Sequence, residues 1–142
     1  MKLDKAAILI KRAALESDRV SNGVLEEAGL TISQYKVIKY VFEEGENGVR
    51  ITDLEKYFSM SHPTAIGIVQ NLEKKGYIAY TENPNDARSR YIIATDEALK
   101  QKDKLEAIGE ELEKEMTKNL SEKERQELIL LLRKMMNIKE EE

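Results

Sequence analysis

The chain has 142 residues, of which 41% are hydrophobic, and a formal net charge of −4, which suits one domain with its own core. It contains no cysteine and one histidine, His62, which excludes disulfides, thiol chemistry and multi-histidine metal centres. The longest apolar run near the start, residues 6–10, is too short for a secretory or membrane-spanning segment. We expect a cytoplasmic protein with no membrane partner, no metal and no cofactor.

The acidic balance is uneven along the chain. Residues 1–49 and 96–142 carry net charges of −1 and −4, whereas residues 50–91 carry +1. Most cations of this middle segment stand in three places, which are Arg50, Lys74 with Lys75, and Arg88 with Arg90. A local positive footprint of this kind is compatible with nucleic-acid binding even when the whole chain is acidic.

Apolar and small residues recur at three- and four-residue steps from Leu3 to about Ala28. This spacing predicts one long amphipathic helix, which Gly29 ends. Thr31 and Gln34 have the spacing of a capping box and predict the start of a second helix that ends near Gly45.

Residues 49–51 predict a short strand, and Thr52 with Glu55 repeats the capping-box spacing before a third, short helix. After a three-residue connection, Ser61 caps a fourth helix whose first turn holds Pro63. The inward face of this helix is predicted from i, i+3, i+4, i+7 spacing to be Ala65, Ile68, Val69 and Leu72. Two short helices joined in this way predict a helix-turn-helix.

Two β-like runs, residues 77–81 and 90–95, flank the turn-forming sequence NPNDARS and predict a hairpin with a long tip. Such a hairpin after a helix-turn-helix forms a wing. Thr95 is expected to cap a fifth helix, and Ser121 with Glu124 to start a sixth. The apolar positions of the fifth helix are Leu99, Leu105, Ile108, Leu112 and Met116, and those of the sixth are Leu128, Leu131, Leu132, Met135 and Met136.

The terminal helices have thin apolar seams and heavily charged outer faces. One chain of this size buries such a seam poorly, whereas pairing with a second copy would remove it from water. We therefore expect a homodimer joined through residues 3–28 and 105–138.

This order of elements resembles the MarR family of transcriptional regulators. The resemblance is carried by LTISQYKVI at 30–38, RITDLEKYFSMSHPTAIGIVQNLEKKGYI at 50–78 and NPNDARSRYIIATDEA at 83–98. It implies a single MarR-like domain over residues 1–142, mainly α with a small β-hairpin wing. Residues 30–98 would form the winged helix-turn-helix lobe, and residues 1–29 and 99–142 the dimerisation helices.

The resemblance also implies a repressor that binds a pseudo-palindromic double-stranded DNA operator as a homodimer and is released by a small-molecule effector. The expected DNA-binding residues of the fourth helix are those at its start and on its outer side: Ser61, His62, Pro63, Thr64, Ile66, Gly67, Gln70 and Asn71. Gln and Asn side chains suit adenine edges in the major groove. This chain has Ile66 and Gly67 where the family frequently has a small polar residue and an arginine, so we expect an A·T-rich operator.

The wing residues expected to contact DNA are Arg88 and Arg90, which alternate with Ser89 and therefore project to the same side of an extended segment. A narrow A·T minor groove attracts arginine. Asp86 is expected to orient the wing by bonding to its own turn and pairing with an arginine. The alternative for both arginines is an ordinary surface ion pair.

Arg50, Lys74 and Lys75 are second-tier candidates for phosphate contacts, although lysines after a helix are also ordinary dipole partners. By analogy with the family, an effector pocket would lie near Tyr35 and Ile38. A tyrosine at such a position is also compatible with a simple core role.

Two other classes of function compete with DNA binding. An enzyme lacks support, since the sequence has no phosphate loop and no G-x-S-x-G elbow. A winged-helix module that binds protein rather than DNA remains an alternative, because the fold does not fix the function and the chain is acidic.

Overall fold

The structure is a computed structural model that describes residues 3–83 and 86–139, with the side chains of residue 83 and residues 86–89 outside the description. Its elements are, in chain order, α1 (Ala6–Leu25), α2 (Ile32–Glu44), α3 (Ile51–Phe58), α4 (His62–Lys74), β1 (Ile78–Asn83), β2 (Asp86–Ala94), α5 (Asp96–Lys100), α6 (Lys102–Met116) and α7 (Glu122–Met135). This is the expected mainly helical fold with one antiparallel hairpin. In the described part of the chain, no helix is both long and apolar enough to cross a membrane.

The chain divides into two compact units. The central unit comprises residues 21–108, and the terminal unit comprises residues 1–20 and 109–142. The predicted winged helix-turn-helix lobe, residues 30–98, falls inside the central unit. The ends of α1 and α6 are shared between the two units, so the expected dimerisation helices extend beyond the terminal unit.

The central unit has an apolar core built from all of its helices and the hairpin. Its largest fully buried side chains are Leu25, Ile38, Leu54, Leu72, Ile92, Leu105, Val37, Val41, Val49 and Val69. The Tyr35 hydroxyl donates a hydrogen bond of 2.7 Å to the Leu105 carbonyl oxygen, so α2 is tied to α6 inside this unit. Burial of these side chains fixes the positions of α3 and α4.

The start of α3 differs from the sequence prediction. Val49 exchanges two backbone hydrogen bonds with Ile92, of 2.9 and 2.7 Å, and forms an isolated bridge rather than a strand over residues 49–51. The helix is capped at Arg50, whose N–H donates to Asp53 Oδ2 at 2.9 Å. The predicted capping box at Thr52 is therefore wrong, because the bridge to β2 positions Arg50 at the helix start.

The helix-turn-helix itself follows the prediction. Ser59 ends α3 with a left-handed φ of 52°, and Ser61 caps α4 by accepting a 3.3 Å hydrogen bond from the Thr64 N–H. Pro63 lies in the first turn of α4, where a helix does not need its missing donor. These local signals fix both ends of the connection.

The wing is longer and its tip shorter than predicted. The strands β1 and β2 pair from Ile78 with Ala94 to Asn83 with Asp86, with a shift of register between Glu82 and Asn83. Asn83 and residues 86–89 of NPNDARS thus belong to the two strands, although among them only Asn83 and Asp86 are paired. Turn-forming residues do not reveal how far a strand pair continues, because the ladder is formed by backbone groups.

The predicted fifth helix is two helices. The Gln101 N–H donates a 3.0 Å hydrogen bond to the Ala98 carbonyl, three residues earlier, and this tighter turn ends α5. The helix α6 begins at the next residue, Lys102. This tighter turn changes the helical phase, so Ala98 is buried and the predicted core residue Leu99 is 50% exposed. In contrast, the capping box of Ser121 and Glu124 at the start of α7 is confirmed.

Candidate nucleic-acid interface

The helix α4 has a buried apolar side and an accessible polar side. Ala65, Val69 and Leu72 are fully buried at i, i+4 and i+7, while Ile68, which was expected to face inward, is half-buried. The predicted contact residues lie on the accessible side: His62, Pro63, Thr64, Gln70 and Asn71 are exposed, and Ile66 and Gly67 are half-buried. The structure therefore brings the predicted recognition surface together on one helix.

The first turn of α4 is ordered by hydrogen bonds. The Ser61 hydroxyl lies 2.9 Å from the Thr64 hydroxyl in addition to capping the helix. His62 Nδ1 lies 3.4 Å from Glu55 Oε2 of α3, but the His62 side chain is 64% exposed, so this contact stabilises the fold little. The His62 imidazole is thus held beside α3 while it stays accessible to an incoming ligand.

Arg90 packs against an aromatic ring of its own hairpin. Its Cζ atom lies 4.9 Å from the centroid of the Tyr80 ring. The two side chains share one face of the hairpin with Ile78 and Ile92, which are both buried. Partial burial and the nearby Glu73 carboxylate raise the pKa of Tyr80, while the Arg90 guanidinium acts in the opposite direction. Arg90 therefore lies on the face of the wing that turns toward the lobe and the end of α4.

Asp86 and Arg88 begin and continue β2. Their side chains lie outside the described residues. The predicted orienting role of Asp86 and the predicted groove contact of Arg88 therefore remain predictions.

The three second-tier cations have different surroundings. The guanidinium of Arg50 lies 5.7 Å from the ring centroid of Tyr91, at the base of the wing, and Lys74 is exposed. The Lys75 ammonium donates to the Gly29 carbonyl at 2.5 Å and to Gln34 Oε1 at 2.7 Å. Because these two bonds tie the end of α4 to the start of α2, we remove Lys75 from the candidate phosphate contacts.

The residues expected near an effector belong to the core. Tyr35 is 4% exposed and Ile38 is fully buried. A cavity of about 70 Å³ beside them is lined by Lys39, Phe42, Glu43, Lys102, Leu105 and Glu106, well below the volume of about 300–1,000 Å³ that is usual for small-molecule sites. The core alternative for Tyr35 is thus the one that the structure supports.

Sequence reasoning missed Tyr80. In the hairpin, Glu82 pairs with Arg90, and Tyr80 precedes Glu82 by two residues. Tyr80 is therefore the diagonal neighbour of Arg90, which can be predicted once the hairpin register is known. That register depends on where the strands end, which the sequence did not reveal.

A short helix pair, an exposed second helix and a two-stranded hairpin define a winged helix-turn-helix protein. A model described as the MarR family matches residues 28–89, and the multiple antibiotic resistance protein MarR of Salmonella typhimurium is 30% identical over 129 residues, covering 90% of this chain and 88% of that protein. The chain belongs to the MarR family.

Two further comparisons extend this result. The HTH-type transcriptional regulator FarR of Neisseria gonorrhoeae is 31% identical over 90 residues, which cover 63% of this chain and 58% of the regulator; the matched part is thus a little over half of FarR. A crystal structure of a mutant MarR from Escherichia coli complexed with operator DNA superimposes with a TM-score of 0.79 at 26% identity, covering 89% of this chain and 90% of that one.

Proposed function

We propose that this protein is a sequence-specific transcriptional regulator that binds double-stranded DNA, with α4 in the major groove and the wing on the adjacent backbone and minor groove. The observation that carries the proposal is the polar side of α4, which is exposed along the helix while its apolar side is buried. The MarR complex with operator DNA supports it, since that protein shares this fold.

The residues of α4 favour A·T base pairs. Gln70 and Asn71 are exposed and can each make a bidentate contact with an adenine edge. Ile66 offers an apolar contact for a thymine methyl group, and nothing lies within 4 Å of the position where Gly67 would carry a Cβ, so DNA can approach the backbone there. No arginine occurs between residues 61 and 75, which removes the commonest reader of guanine.

The two wing arginines have different proposed roles. Arg88 is assigned to the minor groove, where a cation is favoured by the narrow A·T geometry. Arg90 is assigned to a backbone phosphate next to α4, because its guanidinium lies over Tyr80 on the face of the wing that turns toward the lobe. A guanidinium that packs by its face keeps its N–H groups available at its edge. Tyr80 therefore holds Arg90 ready for a phosphate.

The proposed regulator acts as a homodimer through its terminal helices. Eleven of the thirteen large apolar side chains exposed in the described chain lie in the terminal unit. On α7 and just beyond it, they include Leu130, Leu131, Met135 and Met136, each more than half exposed. Apolar exposure on this scale marks an interaction surface, and two-fold pairing would place two α4 helices on the two halves of a palindrome.

We further propose repression by operator occupancy and release by a small molecule. The cavity of about 70 Å³ beside Tyr35 is too small for such a ligand, so binding there requires movement of α2 against α6. Loss of the Tyr35–Leu105 hydrogen bond would accompany that movement. A ligand that binds the separated arrangement preferentially would shift the population away from the DNA-binding one.

The test is selection of bound fragments from a genomic library by the full chain. We expect the bound fragments to share an A·T-rich pseudo-palindrome with half-sites about one helical turn apart. Recovery of G·C-rich half-sites would contradict the assignment of Gln70, Asn71 and Ile66 as base contacts. Recovery of no enriched sequence would favour the protein-binding alternative.

A further inference from the structure

Three aromatic rings form an exposed cluster on the surface of the central unit. Tyr40 of α2 lies 4.6 Å from Tyr57 and 5.8 Å from Phe58 of α3, and Tyr57 lies 4.9 Å from Phe58, all between ring centroids. Tyr57 is 66% exposed, and the other two rings are half-buried. We call these three residues the aromatic patch. Its rings hold each other in place, and they leave the Tyr57 side chain largely in solvent.

Carboxylates lie near Tyr40 of the aromatic patch. Glu44 follows Tyr40 by four residues on α2, and Asp53 precedes Tyr57 by four residues on α3, spacings at which side chains are neighbours on a helix. Partial burial raises the pKa of Tyr40, and the carboxylates of Glu44, Asp53 and Glu43 raise it further. The negative faces of the rings and these carboxylates therefore act in the same direction, toward attraction of a cation.

Three of the four other tyrosines of the central unit have a cation of this chain over the ring, and the fourth, Tyr77, is buried. The cation lies close to the ring in three pairs: Lys39 at 5.6 Å from Tyr35, Arg50 at 5.7 Å from Tyr91, and Arg90 at 4.9 Å from Tyr80. Among the described side chains, no such cation lies over a ring of the aromatic patch. Tyr57, the most exposed aromatic side chain of the unit, thus has no cation of the described chain over its ring.

We propose that the aromatic patch binds a small organic cation, of the quaternary ammonium or phosphonium class with an apolar body. Such an ion loses little hydration when it contacts an aromatic face, whereas a lysine ammonium is strongly hydrated, and its apolar groups cover the exposed Tyr57 ring. Glu44 and Asp53 supply the long-range attraction. None of the three rings lines the cavity beside Tyr35, and the proposal does not rest on DNA binding.

The test is a titration of the full chain with benzyltrimethylammonium, followed by NMR chemical shifts of backbone amides and aromatic side chains. We expect saturable shifts centred on residues 40, 44, 53, 57 and 58. Tyr57→Leu should weaken binding about two- to tenfold through loss of the cation–aromatic contact. Glu44→Gln should weaken binding more at low salt than at high salt, because exposed charges are screened.

Two controls make the outcome decisive. Tyr91→Leu removes a ring that already carries Arg50 and should leave the affinity for the cation unchanged. Benzyl alcohol, which has an aromatic body without a charge, should produce no saturable shifts at the aromatic patch. Binding of benzyl alcohol as tight as that of the cation, an unchanged affinity in Tyr57→Leu, or shifts centred elsewhere would each overturn the proposal, as would no binding up to tens of millimolar.

Discussion

Tyr80→Leu tests whether a tyrosine prepares Arg90 for DNA. The substitution removes the ring that lies 4.9 Å from the Arg90 guanidinium and leaves the arginine itself in place. In the free protein, Arg90 should then sample many rotamers, and binding to a phosphate must immobilise it. We therefore expect weaker DNA binding without loss of the charge that contacts DNA.

Two magnitudes limit the size of this effect. Immobilising a flexible side chain at an interface costs about 0.5–1.5 kcal/mol, and a cation–aromatic contact at an exposed site contributes about 0.5–1 kcal/mol. The free energy that Tyr80 contributes to DNA binding by ordering Arg90 cannot exceed the smaller of these two energies. Tyr80→Leu should therefore raise the Kd for DNA about two- to fivefold, and Tyr80→Phe, which keeps the ring, should stay near the wild-type value.

A double-mutant cycle with Arg90→Ala separates ordering from damage to the fold. The assay is fluorescence anisotropy with a labelled duplex taken from the genomic selection, at one fixed salt concentration. In the Arg90→Ala background, Tyr80→Leu should have no further effect, because no guanidinium remains to be ordered. Equal weakening of binding by Tyr80→Leu in both backgrounds would instead show that Tyr80 acts only through the fold and does not order Arg90.

Three other predictions follow from contacts outside this pair. Gly48→Ala should lower the free energy of unfolding in urea by about 1–3 kcal/mol from backbone strain, because Gly48 has a φ of +77°. The clash of the added Cβ, which would lie 2.7 Å from the Tyr91 Cβ, should add to this cost. Lys75→Met should lower the free energy of unfolding by about 1 kcal/mol, because it removes two hydrogen bonds. Lys74→Met should leave the free energy of unfolding unchanged and reduce the salt dependence of DNA binding. Equal stabilities of the two variants would contradict the structural role given to Lys75. Leu131→Lys should raise the dimer dissociation constant about tenfold or more, and sedimentation equilibrium that shows an unaltered dimer would exclude α7 from the interface.

Signals between near neighbours in the sequence predicted most of the fold. The caps at Thr31, Ser61, Thr95 and Ser121 were all confirmed, because a capping residue and its partner are three positions apart and interact within one turn. The exposed positions of α4 at His62, Pro63, Thr64, Gln70 and Asn71 follow for the same reason, since helical periodicity decides which residues share a side, whereas Ile66, Gly67 and Ile68 are all half-buried.

Features that depend on partners distant in the sequence were missed. The sequence predicts a strand at Val49 and a cap at Thr52, whereas the bridge from Val49 to Ile92 places the helix cap at Arg50. The sequence makes Lys75 a candidate for a phosphate contact, whereas in the structure its acceptors belong to Gly29 and Gln34, more than 40 residues away. The helix break at Gln101 also could not be predicted from the apolar spacing, because one tightened turn leaves the spacing within α6 unchanged.

Whether α4 reads a DNA sequence is measured most directly by the ratio of the affinities for the selected duplex and for a scrambled duplex of equal composition. We expect a ratio of about 10³ or more at physiological salt and a steep fall of the affinity for both duplexes as salt rises. Removing both amides by Gln70→Ala with Asn71→Ala should reduce the ratio about tenfold or more while binding to the scrambled duplex changes little. A ratio near one for the wild-type chain, or an unchanged ratio in the double variant, would contradict sequence reading by α4.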